Sequence, residues 1–233
     1  MNTLLRLDRL RHEVRILGPL LFLVPLALAV AFAALTVMLF AGNVVHSFIA
    51  LLLVAALEAC LPLSAGIILS TVAVQDASLE VLLTMPTAYR RIVFLRVALI
   101  LGWTLLVELL AALALYAFLP WVPVKPLLAG QLTWLAPTFW LAGAGILLAL
   151  VLRSRASSGA ILGCIWIFQL TFHGYFAGNG WTQPWFLFAT LYTPGAPFWL
   201  ANRLELIVTA LVLLAAAWWF LRNPERRFFG EDV

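Results

Sequence analysis

Two glutamates are set deep in apolar sequence, Glu58 in "LVAALEACLP" and Glu108 in "GWTLLVELLAA". A carboxyl group surrounded by hydrocarbon has to be protonated, paired with a donor or cation, or turned toward a water-filled cavity. Two readings follow. In one, the pair lines a transport path, attracting cationic or hydrogen-bonding cargo or coupling a proton. In the other, each glutamate bonds to a neighbouring helix, within the chain or across a dimer. Gln169 and His173 are four residues apart and so share one helix face, with Trp166 close by. These five residues, Glu58, Glu108, Trp166, Gln169 and His173, form the candidate translocation path. For Gln169 and His173 the alternative is a helix–helix hydrogen bond.

Other chemistries fit less well. Ser157 and Ser158 in "ASSG" are the serines to test as nucleophiles, and His173 would be their base. On one helix they stand roughly 22 Å apart by axial rise, far outside hydrogen-bonding reach. His46 belongs to the opposite end of its span. Cys60 and Cys164 both lie in apolar runs; two scattered thiols make neither a disulfide framework nor a metal spacing. A phosphate-binding loop needs Gly-x-x-x-x-Gly-Lys-Ser/Thr, whereas the one lysine is Lys125, placed between prolines in "PVKP". The chain is therefore not expected to be an enzyme or to bind a metal, a cofactor or nucleic acid. Any ATP and Mg must be held by another subunit.

The elements that position these residues follow from composition. Hydrophobic residues are 65% of the 233 and charged residues 10%, with mean hydropathy +1.08. Soluble domains average about 25% charged residues, so the solvent here is lipid. A span takes about 20 apolar residues, and six candidates emerge: 17–40, 46–72, 92–119, 134–152, 157–176 and 204–221. Their length and lack of period-2 alternation predict helices rather than a barrel. Pro25 and Pro62 fall inside spans. The whole chain, 1–233, reads as a single all-α membrane domain. No cleavage site follows the first run, so it is expected to be retained.

With the N-terminus inside, the inner side receives Arg6, Arg9, Arg11, Arg15, Arg90, Arg91, Arg96, Arg153, Arg155, Arg222, Arg226 and Arg227. The outer side receives only Lys125 and Arg203. Twelve cations against two place both termini in the cytoplasm of a multi-pass protein of the cytoplasmic membrane. Residues 1–16 predict an amphipathic interfacial helix, with Leu4, Leu7, Leu10, Val14 and the following Leu17 on one face and the arginines largely opposite. Residues 177–202, rich in Trp, Phe and Tyr, contain an apolar stretch too short to span. They predict a re-entrant or interfacial outer segment between spans five and six. Arg203 and Glu205 read as an interfacial anchor. Gly143 and Gly145, and separately Gly159 and Gly163, would permit close helix contact.

One connection is unlike the rest. Residues 75–91, "QDASLEVLLTMPTAYRR", place an acid-then-base segment between two apolar runs. Asp76 or Ser78 can cap a helix, Glu80 suits its first turn, and Pro86 ends it. Leu79, Leu82 and Leu83 make one apolar face. A plain loop at the inner surface does not need "LEVLL"; a helix laid in a partner's groove does.

This pattern of Asp76, Ser78, Leu79, Glu80, Leu82, Leu83, Pro86, Arg90, Ile92 and Arg96 resembles the first cytoplasmic loop of ABC-2-type exporter permeases. The resemblance covers nearly the whole chain in layout and about twenty residues in motif. The Gly-Thr usual before Leu-Glu stands here as Ala77-Ser78. It implies a coupling helix seated in a cleft of an ATP-binding subunit. Leu79, Leu82 and Leu83 would fill the cleft, and Glu80 and Arg90 would contact its rim. It also implies a second permease protomer, identical or sister, embedded with this one in membrane lipid, and export of a drug, lipid, peptide or similar substrate. The alternative is an ion-coupled secondary transporter or channel that uses Glu58 and Glu108.

Overall fold

A computed structural model describes residues 17–74, 89–118 and 127–221. The described residues are helical, without strands. In chain order the helices are α1 (Pro19–Ala41), α2 (His46–Val74), α3 (Tyr89–Phe118), α4 (Leu127–Leu152), α5 (Arg155–Thr171), α6 (His173–Gly178), α7 (Ala189–Tyr192) and α8 (Trp199–Phe220), with a 3₁₀ turn at Gln183–Trp185. Five of these, α1, α2, α3, α4 and α8, are long and apolar enough to cross a membrane, as a multi-pass membrane protein requires.

The expected span 157–176 is instead two pieces. Helix α5 stops at Thr171, Phe172 leaves helical geometry at φ −103°, ψ 29°, and α6 restarts at His173. The Leu170 carbonyl lies 3.0 Å from the His173 ring nitrogen Nδ1, a side-chain contact at the break. The 17 residues of α5 fall just short of a full hydrocarbon crossing.

Helix α2 contains a π turn at Ala56–Cys60. Pro62 lies two residues beyond it and has no N–H to return to the carbonyl of Glu58, four residues back. The wider turn sits where the α-helical ladder loses that donor. Helix α4 lies at the centre, packed on α2 and α8. A Cβ placed on Gly145 would collide with the Gly66 carbonyl oxygen, and one on Gly66 would meet the Leu141 oxygen at 2.8 Å. These two glycines let the α2 and α4 backbones touch. Gly143 performs the same service toward Ala210 of α8, at 3.1 Å. Gly159 and Gly163 do not: a Cβ on either meets nothing within 4 Å.

The core runs as three apolar clusters along the bundle. Ile68, Leu69, Ile100 and Ile146 are central to the first, Leu141, Leu162, Phe186 and Leu206 to the second, and Leu57, Leu61 and Leu115 to the third. Helix α1 lies outside this core and buries only Pro25. Between α4 and α5, Arg153 takes φ 53° and Ser154 caps α5 by accepting from the Ser157 backbone N–H at 3.2 Å. This is the arginine-bearing end of the bundle. The α1–α2 turn at Gly42–Val45 marks the other end.

Candidate functional site

Between α6 and α8 the chain does not cross the bundle. Residues 179–198 fold back against it, and Phe186, Leu187, Phe188, Ala189 and Thr190 become buried. Irregular backbone at such depth has to find its hydrogen bonds in protein. Side chains from three helices supply them.

From α2, Glu58 accepts the backbone N–H of Thr190 at 2.8 Å and of Leu191 at 2.6 Å. These are orphan donors of the first turn of α7, so the carboxylate caps that short helix. From α8, Arg203 donates through Nη2 to Glu58 Oε1, and to Thr190 Oγ1 at 3.1 Å. Its Nη1 donates to the Leu187 carbonyl at 3.0 Å. Both members of the ion pair are 0% exposed. Trp199 lies beside them: its ring centre is 5.7 Å from the guanidinium carbon, and its Nε1 donates to Thr190 Oγ1 at 2.9 Å.

The neighbouring residues extend the same logic. Asn202 Nδ2 donates to the Gln183 carbonyl at 2.6 Å and the Phe186 carbonyl at 3.0 Å. From α5, Gln169 donates to the Trp185 carbonyl at 3.0 Å and accepts the Leu187 N–H at 2.8 Å. Trp166 Nε1 donates to the Ala59 carbonyl at 3.0 Å, satisfying an acceptor in the π turn that carries Glu58. His173 stacks on Tyr192, with centroids 4.0 Å apart and planes at 10°.

Four of the five candidate path residues, Glu58, Trp166, Gln169 and His173, are thus gathered around one folded-back segment. Glu108 is not among them. It sits fully buried on α3, where Thr138 Oγ1 of α4 lies 3.0 and 2.9 Å from its two oxygens. Arg203, read from sequence as an interfacial anchor, is instead buried at the centre of the network, while Glu205 is exposed. A signal for Arg203 was present. A cation is one of the partners a buried acid can take, and Arg203 is one of only two cations assigned to its side of the chain.

Ser158 also has a packing role, donating to the Gly145 carbonyl at 3.0 Å. Among the described residues no three His, Cys, Asp or Glu side chains converge as a metal site. Asp76, Ser78, Leu79, Glu80, Leu82, Leu83 and Pro86 lie outside the described residues, as do residues 1–16; Arg90 belongs to the first turn of α3. No protein-family model, no curated protein and no solved structure matches this chain.

Proposed function

We propose that this chain is the membrane-embedded permease subunit of an ATP-driven exporter of the ABC-2 type. In this reading it works with a separate ATP-binding subunit and a second permease protomer in the cytoplasmic membrane. The observation that carries the reading is the leucine-faced, acid-then-base segment 75–91 in a chain whose single lysine sits in "PVKP", away from any phosphate-binding pattern. Both termini are assigned to the cytoplasm by the arginine bias, with α5 and α6 together making a broken sixth crossing and residues 179–198 a re-entrant outer segment.

The geometry supports a mechanical role for that segment. Residues 75–88 join the end of α2 at Val74 to the start of α3 at Tyr89. From Val74 to Glu58 is sixteen residues of α2, about 24 Å of axial rise. A partner that displaces the 75–88 connection therefore pushes on the helix whose far half grips the folded-back segment through Glu58. Nucleotide-driven closure at one membrane face would be felt at the other through this one rod.

The test is co-expression of the full chain with a candidate ATP-binding subunit, sought as a protein with a phosphate-binding loop in an adjacent reading frame, followed by co-purification in detergent. Leu82→Asp and Leu83→Asp are expected to abolish recovery of the partner while the permease keeps its elution volume. Recovery unchanged by both substitutions overturns the reading. Transport that follows an ion gradient and persists without ATP would favour the ion-coupled alternative instead.

A further inference from the structure

Among the described residues, four buried side-chain atoms have no hydrogen-bond partner: Thr133 Oγ1, Trp140 Nε1, Asn202 Oδ1 and Arg203 Nε. Their residues are 4, 8, 1 and 0% exposed. A polar atom left bare at such depth is costly and rare. The two on α4 also break the habits of this molecule. Thr36, Thr71, Thr104 and Thr209 each turn the hydroxyl back to the carbonyl four residues earlier, and Thr133 does not. Trp103, Trp134, Trp166 and Trp199 each rest the indole N–H on an acceptor, and Trp140 does not.

Thr133 and Trp140 stand two turns apart on one face of α4, with the short side chain of Ala136 between them. Helical side chains lean toward the N-terminus, so the Trp140 ring leans over Ala136 toward Thr133. Pro137 lies inside the helix and has no N–H for the Thr133 carbonyl, four residues back. A second oxygen beside the unmet hydroxyl thereby loses its helical donor. Asn202 and Arg203 open onto the same level from α8. The two helices run side by side in one direction: Trp140 and Ala144 share a core cluster with Leu206 and Ala210, and Ile146 and Ala149 share another with Ala217 and Leu221. A Cβ on Gly143 would meet the Ala210 oxygen at 3.1 Å, so seven residues earlier Ala136 stands level with Arg203. The unmet atoms thus fall in a layer about 10 Å deep. The folded-back segment borders it, with its Phe186 and Leu187 carbonyls 3.0 Å from Asn202 Nδ2 and Arg203 Nη1.

We infer that the outer halves of α4 and α8 enclose a binding site for ordered water, which bridges the two helices behind the folded-back segment. The chemistry of the unmet atoms selects the occupant. Each helix offers one donor, Trp140 Nε1 or Arg203 Nε, and each offers an acceptor, the Thr133 carbonyl or Asn202 Oδ1. The Thr133 hydroxyl serves either way. A cation would face the two N–H groups and an anion the two carbonyl oxygens, so an ion of either sign is opposed by half the site. Water donates and accepts in equal measure, and buried water characteristically bonds to two to four polar groups that protein leaves unmet. The site also completes the hold on the segment: Asn202 and Arg203 grip it with their outer nitrogens, and water holds the remaining atom of each.

The inference is independent of the exporter reading. It is tested on the full chain in nanodiscs by X-ray radiolysis, which turns water into hydroxyl radicals where it stands, with oxidised residues mapped by mass spectrometry. Trp140 is expected to be oxidised despite its burial. Trp134 is the internal control: it lies on the same helix, is 4% exposed and has its N–H on Gln131. Thr133→Val is expected to lower Trp140 oxidation toward the Trp134 level. Melting temperature gives a second readout of opposite sign for the two cases. If water meets these atoms, Thr133→Val and Trp140→Phe each lower it by about 2–4 °C, and the double substitution lowers it by less than the sum, because the partner is shared. If the atoms are bare, removing them raises it. Trp140 no more oxidised than Trp134, or a rise in melting temperature with both substitutions, overturns the proposal. Lys125→Met, in the 119–126 connection, is expected to leave both readouts unchanged; an effect equal to that of Thr133→Val would assign the unmet atoms to that connection and overturn the water site. Should a variant fail to fold, the comparison of Trp140 with Trp134 in the unaltered chain decides alone.

Discussion

Glu58 and Glu108 are both fully buried acids near the middle of long apolar helices, yet their surroundings differ in kind. Glu58 faces a guanidinium and two backbone N–H groups and ties α2 to α7 and α8. Glu108 faces one threonine hydroxyl and ties α3 to α4. The first is built to hold a negative charge in place, with every contact also fixing irregular backbone. The second is a local bond between two regular helices that would stand without it. The lesson is that an intramembrane acid is explained by what its donors belong to, not by its depth.

The sharpest way to break this contrast is to remove the cation. Arg203→Ala leaves the Glu58 carboxylate buried without its counter-charge, and losing one partner of a buried pair costs about 3–5 kcal/mol. A large fall in the melting temperature of the detergent-solubilised protein is expected, together with new proteolytic cleavage between residues 179 and 198. Arg203→Met combined with Glu58→Gln is expected to recover a substantial part of that loss, since no lone charge remains. If the double substitution is no better than Arg203→Ala, the ion pair is not what holds the segment.

Next in size is Asn202→Ala, which strips the donor from the Gln183 and Phe186 carbonyls. Leaving buried acceptors unpaired costs about 1–3 kcal/mol, and Gln169→Ala should cost a similar amount for the same reason. Faster amide hydrogen exchange confined to residues 183–192 would mark both. The smallest effect is expected from Glu108→Gln. The amide can accept from Thr138 through Oε1 and donate back to it through Nε2, so the melting temperature should move by less than about 1 kcal/mol equivalent. A loss as large as that of Arg203→Ala would erase the distinction between the two sites.

Much of the architecture was legible from periodicity and length, because hydrocarbon thickness imposes its own ruler on the sequence. The spans 17–40, 46–72, 92–119, 134–152 and 204–221 all correspond to long apolar helices. The expected shared face of Gln169 and His173 did not survive, because the break at Phe172 puts Gln169 on α5 and His173 at the start of α6. The break at Phe172 was not legible, because nothing in "LTFHGYF" forbids a continuous helix until the following segment folds back. Arg203 was misread because its partner lies 145 positions away: the shortage of cations on its side of the chain made it a candidate counter-ion, but only tertiary contact tells that role from a belt residue's. The open space beside Gly159 and Gly163 escaped for a similar reason: small residues permit close approach without specifying who approaches.

The π turn at Ala56–Cys60 has a further consequence. It accommodates one residue more than a regular coil needs, so the half of α2 from His46 to Ala55 is phased by roughly 100° against the half from Leu61 onward. Deleting a single residue such as Ala56 would heal the coil and undo that phase. Ile49 and Ala50, now 0% and 7% exposed, would swing toward lipid, and the carboxylate that clasps the folded-back segment would turn away from it. One surplus residue in this helix thus acts as a rotational key, setting which way an entire half-helix looks.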